Sequence, residues 1–155
     1  MIPSTSQTGC VEVRNASQGD LGSVLALLGR SGLPTQGVTA EAMDEFMIAE
    51  SQGKLIGVAG LEVYRDSALL RSAAVEETWR GTGVGRVLID RALDRSRELG
   101  IHDVFLLTTS AEHYFPKFGF VCVSGDSVPD SIQQSCEFRG PCPATATVMR
   151  KTIGG

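Results

Sequence analysis

The sequence predicts an α/β fold: a mixed, mostly antiparallel central sheet flanked by helices. Three observations predict it. Apolar segments at residues 46–49, 55–64 and 68–75 follow one another through short polar turns, which makes an antiparallel meander. A stretch at about residues 83–99 then carries Val84, Val87, Leu88 and Ala92 at helical spacing. It leads into the fully apolar run Val104, Phe105, Leu106, Leu107, which reads as a buried strand. Strand, helix and buried strand in succession imply a right-handed parallel crossover.

The remaining elements follow in order. Residues 11–14 alternate as a first strand. Ser17 with Asp20 three residues later marks a helix start, and Leu21, Val24, Leu25 and Leu28 recur at helical spacing behind it. Ser31-Gly32 and Pro34 end that helix. Residues 39–44 are expected to form a short second helix, with the loop 32–38 bordering a substrate cleft. Ser51-Gln52-Gly53-Lys54 and Arg65-Asp66 turn the meander. Gly100 stops the long helix. A short helix at 111–118 ending at Gly119, a strand at 120–123, a helical segment at 128–136 opened by Pro129, and a last strand at 144–149 complete the pattern.

Size and charge narrow the class. A chain of 155 residues suits one domain, expected over 10–153, with a polar, flexible tail at 1–9. The net charge is −4. No basic stripe suited to nucleic acid is present, because Arg91, Arg95 and Arg97 are interleaved with Asp90, Asp94 and Glu98 in the manner of a solvated helix face with i,i+4 pairs. No apolar run approaches the roughly 18 residues needed to span a bilayer, and no signal-peptide pattern opens the chain, so neither nucleic acid nor membrane is expected as a partner and a cytoplasmic location is. The four cysteines, at 10, 122, 136 and 142, form no C-x-x-C pair, so no metal site is expected and reduced thiols are. A soft-metal or arsenic(III) site at Cys136 and Cys142 is the alternative.

Chemistry concentrates at Arg80-Gly81-Thr82-Gly83-Val84-Gly85, which opens the long helix directly after a buried strand. The glycines let backbone N–H groups approach a bulky ligand, and those N–H groups are the unpaired donors of a helix start. A pyrophosphate suits them, with Arg80 and Arg86 adding charge at either end. The order fits neither the dinucleotide fingerprint nor the G-x-x-x-x-G-K-[ST] phosphate loop. A glycine turn without a ligand is the alternative reading.

The stretch LLRSAAVEETWRGTGVGRVL, residues 69–88, resembles the acetyl-CoA motif of the GNAT superfamily of N-acetyltransferases, an apolar strand, a turn and Q/R-x-x-G-x-G/A. Arg80, Gly83 and Gly85 fill its fixed positions. Tyr114-Phe115-Pro116-Lys117-Phe118-Gly119-Phe120 resembles the family's second signature, a short helix ending in Gly-Phe. The resemblance covers almost the whole chain from Val11. It implies a GNAT-like sheet with a V-shaped gap for acetyl-CoA between the fourth and fifth strands. It also implies that backbone groups at Ala73 and Val75 hold the pantetheine arm and polarise the thioester carbonyl, that Arg80, Gly81, Gly83, Val84, Gly85 and Arg86 hold the phosphates, and that the amine attacks directly, through a tetrahedral intermediate. Many members place a tyrosine thiol acid four residues before the Gly of Gly-Phe. Here that residue is Phe115, so Ser72 or a water is expected to serve.

For the base, Glu62 is the candidate, a charge inside the apolar run Gly60-Leu61-Glu62-Val63 whose burial would raise its pKa. A carboxylate pointing to solvent is the alternative. Arg71, a cation inside Leu69–Ala73 in sequence, either binds a substrate carboxylate or pairs with Glu62 across the hairpin. A bulge, frequent in this strand of the family, would exchange which of Arg71 and Ser72 faces the cleft.

Leu106-Leu107-Thr108-Thr109 with Tyr114-Phe115 and Gly119-Phe120 looks like the N-acetylglutamate synthase branch, and residues 127–149 look still more like the arsenic-resistance N-acetyltransferases. This implies a small-molecule amine acceptor, an acidic amino acid or an arsenic-containing analogue, held by Arg71, Thr108, Thr109 and Arg139, the last of which could equally be a surface arginine. A protein or peptide N-acetyltransferase and a non-catalytic acyl-CoA-binding or arsenic-sensing module are the competing functions. Family members commonly form homodimers, although nothing in the sequence marks an interface.

Overall fold

The structure is a computed structural model and describes residues 11–108, 113–124, 127–133 and 147–154. Strands β1 (Val11–Asn15), β2 (Phe46–Ser51), β3 (Lys54–Tyr64), β4 (Ser67–Val75), β5 (Asp103–Thr108), β6 (Val121–Cys122) and β7 (Thr147–Thr152) form a sheet in the order β1-β2-β3-β4-β5-β7-β6. Helices α1 (Leu21–Arg30), α2 (Val84–Glu98) and α3 (Asp130–Gln133) accompany it. The chain divides into two compact units, Met1–Gly60 with Ser72–Ala92 and Leu61–Arg71 with Leu93–Gly155.

In the first unit the turns do what their residues allow. Gln52 and Gly53 both take positive φ, 55° and 76°, which gives the β2–β3 hairpin a turn whose twist matches its strands. The apolar stripe of α1 supplies Val24, Leu27 and Leu28 to a core that also holds Met43, Phe46, Ile48, Val58 and Ala74. Glycine is required at 60 because a Cβ there would fall inside the Phe46 ring. The expected helix at 39–44 is a 3-10 turn, Glu41–Glu45, too short for α-helical bonding before β2 begins.

Ser17 and Asp20 make the expected helix-entry contact: the Ser17 N–H donates to Asp20 Oδ2 at 2.7 Å, within a 3-10 turn that leads into α1. Arg14 grips the same carboxylate with two bonds, 3.0 and 3.1 Å, and reaches Glu50 at 3.1 Å. The hydrogen bonds from Arg14, and more weakly those from Ser17, hold the Asp20 carboxyl below its ordinary 3.8, against partial burial, which acts the other way. A carboxylate with a lowered folded-state pKa stabilises the fold above its unfolded value and ceases to as pH falls through the folded one. Asp20→Asn is therefore expected to cost about 1 kcal/mol at pH 7, the size of a lost cap. Urea unfolding of both proteins should show that gap at pH 5 and show it closing well below pH 3.8.

In the second unit β5 pairs in parallel with β4 through Ser67–Asp103, Ala68–Val104 and Leu69–Phe105. β5 then pairs antiparallel with β7 from Asp103–Thr152 to Thr108–Thr147, so the last strand lies between β5 and β6. Leu69, Phe105, Val128 and Ile132 form the core here, edged by Tyr64 and Val148. On α2, Arg95 pairs with Glu98 at 3.5 Å and Arg97 with Asp94 at 3.0 Å, both at i,i+3.

The segment expected as a helix at 111–118 is a turn at His113–Tyr114 followed by a 3-10 helix, Phe115–Phe118. Pro116 lacks the N–H that a longer helix would need, and Gly119 at φ 96° closes the turn. The helical segment expected at 128–136 is α3 within its described part.

Candidate active site

The site begins at the end of β4. Among the described residues three non-glycines take positive φ. Gln52 and Arg65 sit in hairpin turns, whereas Ser72, at 58°, lies inside a strand. Such a residue costs of order 1–3 kcal/mol and persists only where its surroundings hold it. Arg71 and Ser72 are both buried, at 3% and 8% exposure, like the residues of β4 before them from Ser67 onward. The left-handed Ser72 lies where a bulge is expected.

Arg71 is brought to Glu62. Its Nη1 donates to Glu62 Oε2 at 2.5 Å, and Tyr64 Oη donates to Oε1 at 2.5 Å. Of the two readings of Arg71, pairing across the hairpin is the one the structure contains. Glu62 does not point freely to solvent, since its side chain is 19% exposed and both oxygens are engaged. Tyr64 had escaped sequence reasoning, although two residues apart on a strand share a face, and that spacing was the available signal.

Beyond Ser72, Ala73 and Val75 are half-buried and Ala74 enters the core. The Glu76 N–H bonds to Ile56 O on β3 at 2.8 Å, and the chain leaves the strand through a 3-10 turn, Glu77–Trp79. Gly81 and Gly83 follow with φ of 82° and 94°. Thr82 Oγ1 donates to Trp79 O at 2.5 Å, and Gly83 O accepts the first helical bond, from Val87 N at 3.1 Å. At both glycines a Cβ would meet nothing within 4 Å, so the requirement for glycine is conformational and the space beside the loop is open. An open, left-handed loop whose N–H groups lead into a fifteen-residue helix fits a pyrophosphate.

The helix is seated by β3. A Cβ at Gly57 would lie 2.8 Å from Leu88 and 3.1 Å from Val84, so the first turn of α2 rests directly on strand backbone. Val84 is thereby a packing residue in its side chain and a ligand candidate only through its N–H. Gly85 and the exposed Arg86 lie in the first turn. Arg80 is exposed and its Nε donates to Val75 O at 3.0 Å. Beside it lies a cavity of about 270 Å³, between Leu27, Arg30 and Ser31 of the α1 end and the segment from Val75 to Arg80, with Arg30 ion-paired to Glu76 on its wall.

Phe115, in the position where a tyrosine was expected, is buried against Phe120, with ring centroids 5.8 Å apart, and Tyr114 packs edge-on to it at 5.3 Å. Thr108 ends β5, half-buried. Thr109 and Arg139 lie outside the described residues, as do Cys10, Cys136 and Cys142; Cys122 is free and exposed. Among the described residues no group of acidic, histidine or cysteine side chains is arranged to hold a metal, and no helix is long and apolar enough to cross a membrane.

Residues 42–122, more than half of the chain, match the acetyltransferase (GNAT) domain family. The chain belongs to the GNAT acetyltransferase family. It is 31% identical over 128 residues to an amino-acid acetyltransferase of Vibrio vulnificus, a match covering 76% of this chain and 28% of that protein, so the chain spans less than a third of that relative's length. Its fold is similar to that of Mycobacterium tuberculosis Rv2747 crystallised with CoA and NLQ (TM-score 0.79, 25% identity, 92% of this chain and 99% of that one). It is also similar to the N-acetylglutamate synthase of Neisseria gonorrhoeae complexed with coenzyme A and N-acetyl-glutamate (TM-score 0.80, 25% identity, 94% and 35%). The matched segment includes the glycine loop that opens α2, where the space beside Gly81 and Gly83 is open.

Proposed function

We propose that this domain acetylates the amine of a small acidic amino acid or of an arsenic-containing analogue of one. The observation that carries the reading is the polar cluster of Arg71, Glu62 and Tyr64, built into an otherwise apolar hairpin and followed in the chain by the left-handed Ser72. Burying charge in this way is costly, and its retention beside strained backbone is a mark of a working site. The likeness to amino-acid acetyltransferases supports an acceptor of that class.

In this reading the loop from Arg80 to Arg86 holds the phosphates, the backbone of Ala73 and Val75 holds the pantetheine arm, and acetyl-CoA supplies an activated thioester. Glu62 takes the proton of the substrate ammonium. Ser72 or a water protonates the departing thiolate, whose own pKa of about 8.5 makes that assistance modest. Arg71, Thr108, Thr109 and Arg139 receive the acidic groups of the acceptor, with the Arg71 guanidinium balanced by Glu62.

Thiol release with acetyl-CoA over a panel of free amino acids, arsenical and phosphinic glutamate analogues and peptide N-termini tests the proposal. Turnover is expected with the acidic amino acids or their analogues. Turnover confined to peptides would make the domain a protein N-acetyltransferase. Tight CoA binding with no turnover on any amine would make it an acyl-CoA-binding module.

A further inference from the structure

Arg80 and Val75 are joined in a way that the phosphate-holding role of Arg80 leaves unused. The Val75–Glu76 peptide is planar and trans, so its C=O and N–H point in opposite directions. The N–H bonds to Ile56 O on β3, which turns the Val75 carbonyl away from β3. The described strand pairing of β4 with β5 ends at Leu69, and at Val75 the acceptor's partner is the Arg80 side chain, whose Nε donates at 3.0 Å. Val75 is one of the two residues whose backbone is proposed above to hold the pantetheine arm, and its carbonyl is the group there able to accept from an amide. The bond is exposed and borders a cavity of about 270 Å³, so the guanidinium has room to leave.

We propose that Arg80 selects the acyl donor: its guanidinium occupies the Val75 carbonyl until a phosphate draws it away, so only donors that bring phosphate free the pantetheine track. The idea rests on the acetyl-CoA site proposed above. A phosphate offers the guanidinium a charged, two-pronged acceptor in place of a single neutral carbonyl, and the ion pair is the stronger interaction. A phosphate-free thioester offers no such exchange and must displace Arg80 by itself. The same side chain thereby favours CoA twice, by attraction at the phosphates and by obstruction of the shorter donor.

The test is calorimetric binding of CoA and of pantetheine to the full chain and to Arg80→Ala and Arg80→Lys, with thermal unfolding to confirm that each variant is folded. For Arg80→Ala the two ligands should move in opposite directions. CoA should bind about tenfold more weakly, as expected for one ion pair with phosphate, and pantetheine about threefold more tightly, as expected for removal of one exposed competing bond to a carbonyl. Arg80→Lys keeps the charge but loses the Nε donor, and should retain most of the CoA affinity while also gaining for pantetheine. Pantetheine binding that is unchanged or weaker in both variants overturns the proposal. Failure of the unmodified chain to bind CoA at all would instead overturn the site assignment on which it rests.

Discussion

Gly83→Asp is expected to weaken CoA binding by about a hundredfold, or ~2.7 kcal/mol. Two effects combine. Gly83 has φ 94°, where a Cβ costs roughly 1–2 kcal/mol even though the space beside it is open. The new carboxylate would also stand at the positive end of α2, where the ligand's phosphates belong, and like charges repel there. Gly83→Asn separates the two effects, since asparagine is similar in shape, tolerates left-handed backbone and carries no charge. It should lower the melting temperature but lose several-fold less affinity than the aspartate. Calorimetric titration with CoA measures both, and unchanged affinity in Gly83→Asp would remove the glycine loop as the phosphate site.

Glu62→Gln is expected to damage stability and catalysis together. The Arg71 side chain is 1% exposed, and Glu62 is the carboxylate that balances it at 2.5 Å. Removing the charge of one partner of such a pair costs about 3 kcal/mol, because the other charge stays buried. Replacing both residues together, as in Glu62→Leu with Arg71→Met, should recover much of that loss, which urea unfolding will show. The rate should not recover. As the proposed base, Glu62 must be ionised to accept a proton, so kcat/KM of the unmodified chain should rise with pH through its titration. In Glu62→Gln that limb should vanish and the rate should fall about 10²-fold. An unaltered pH profile alongside the stability loss would leave Glu62 a structural partner of Arg71 and Tyr64.

Much of this could be read in one dimension because the local signals were strong and uncontested. A leucine and valine stripe at period 3.6 has one way to bury itself, which is why α1 and α2 lie where periodicity placed them, although Val87, expected on the apolar face of α2, is 46% exposed while Val84, Leu88 and Ala92 are buried. Gly53, Gly81, Gly83, Gly100 and Gly119 all take positive φ, each at a turn or element boundary that the sequence marks. The short segments were less legible. At 111–118 the apolar residues suggested a helix, but four aromatic rings that can pack on one another, Tyr114, Phe115, Phe118 and Phe120, are satisfied by a tighter 3-10 turn. Edge strand β6 lies inside the strand expected at 120–123 but is only two residues long.

By itself the sequence determined the order of the elements, the glycine cradle and the odd pair of charges in the meander, since each depends on residues close together in the chain. The tertiary structure decided what those charges do. Glu62 and Arg71 are nine positions apart, and whether they meet depends on the register and distortion of a hairpin, which hydrophobic pattern leaves open once a bulge is allowed. It also decided that β7 lies between β5 and β6, because an insertion of that kind is selected by which exposed strand edge the last segment can cover, a property of the assembled sheet. And it placed the Arg80 side chain on the Val75 carbonyl, a choice made by backbone direction at the end of β4 that no spacing of residues encodes.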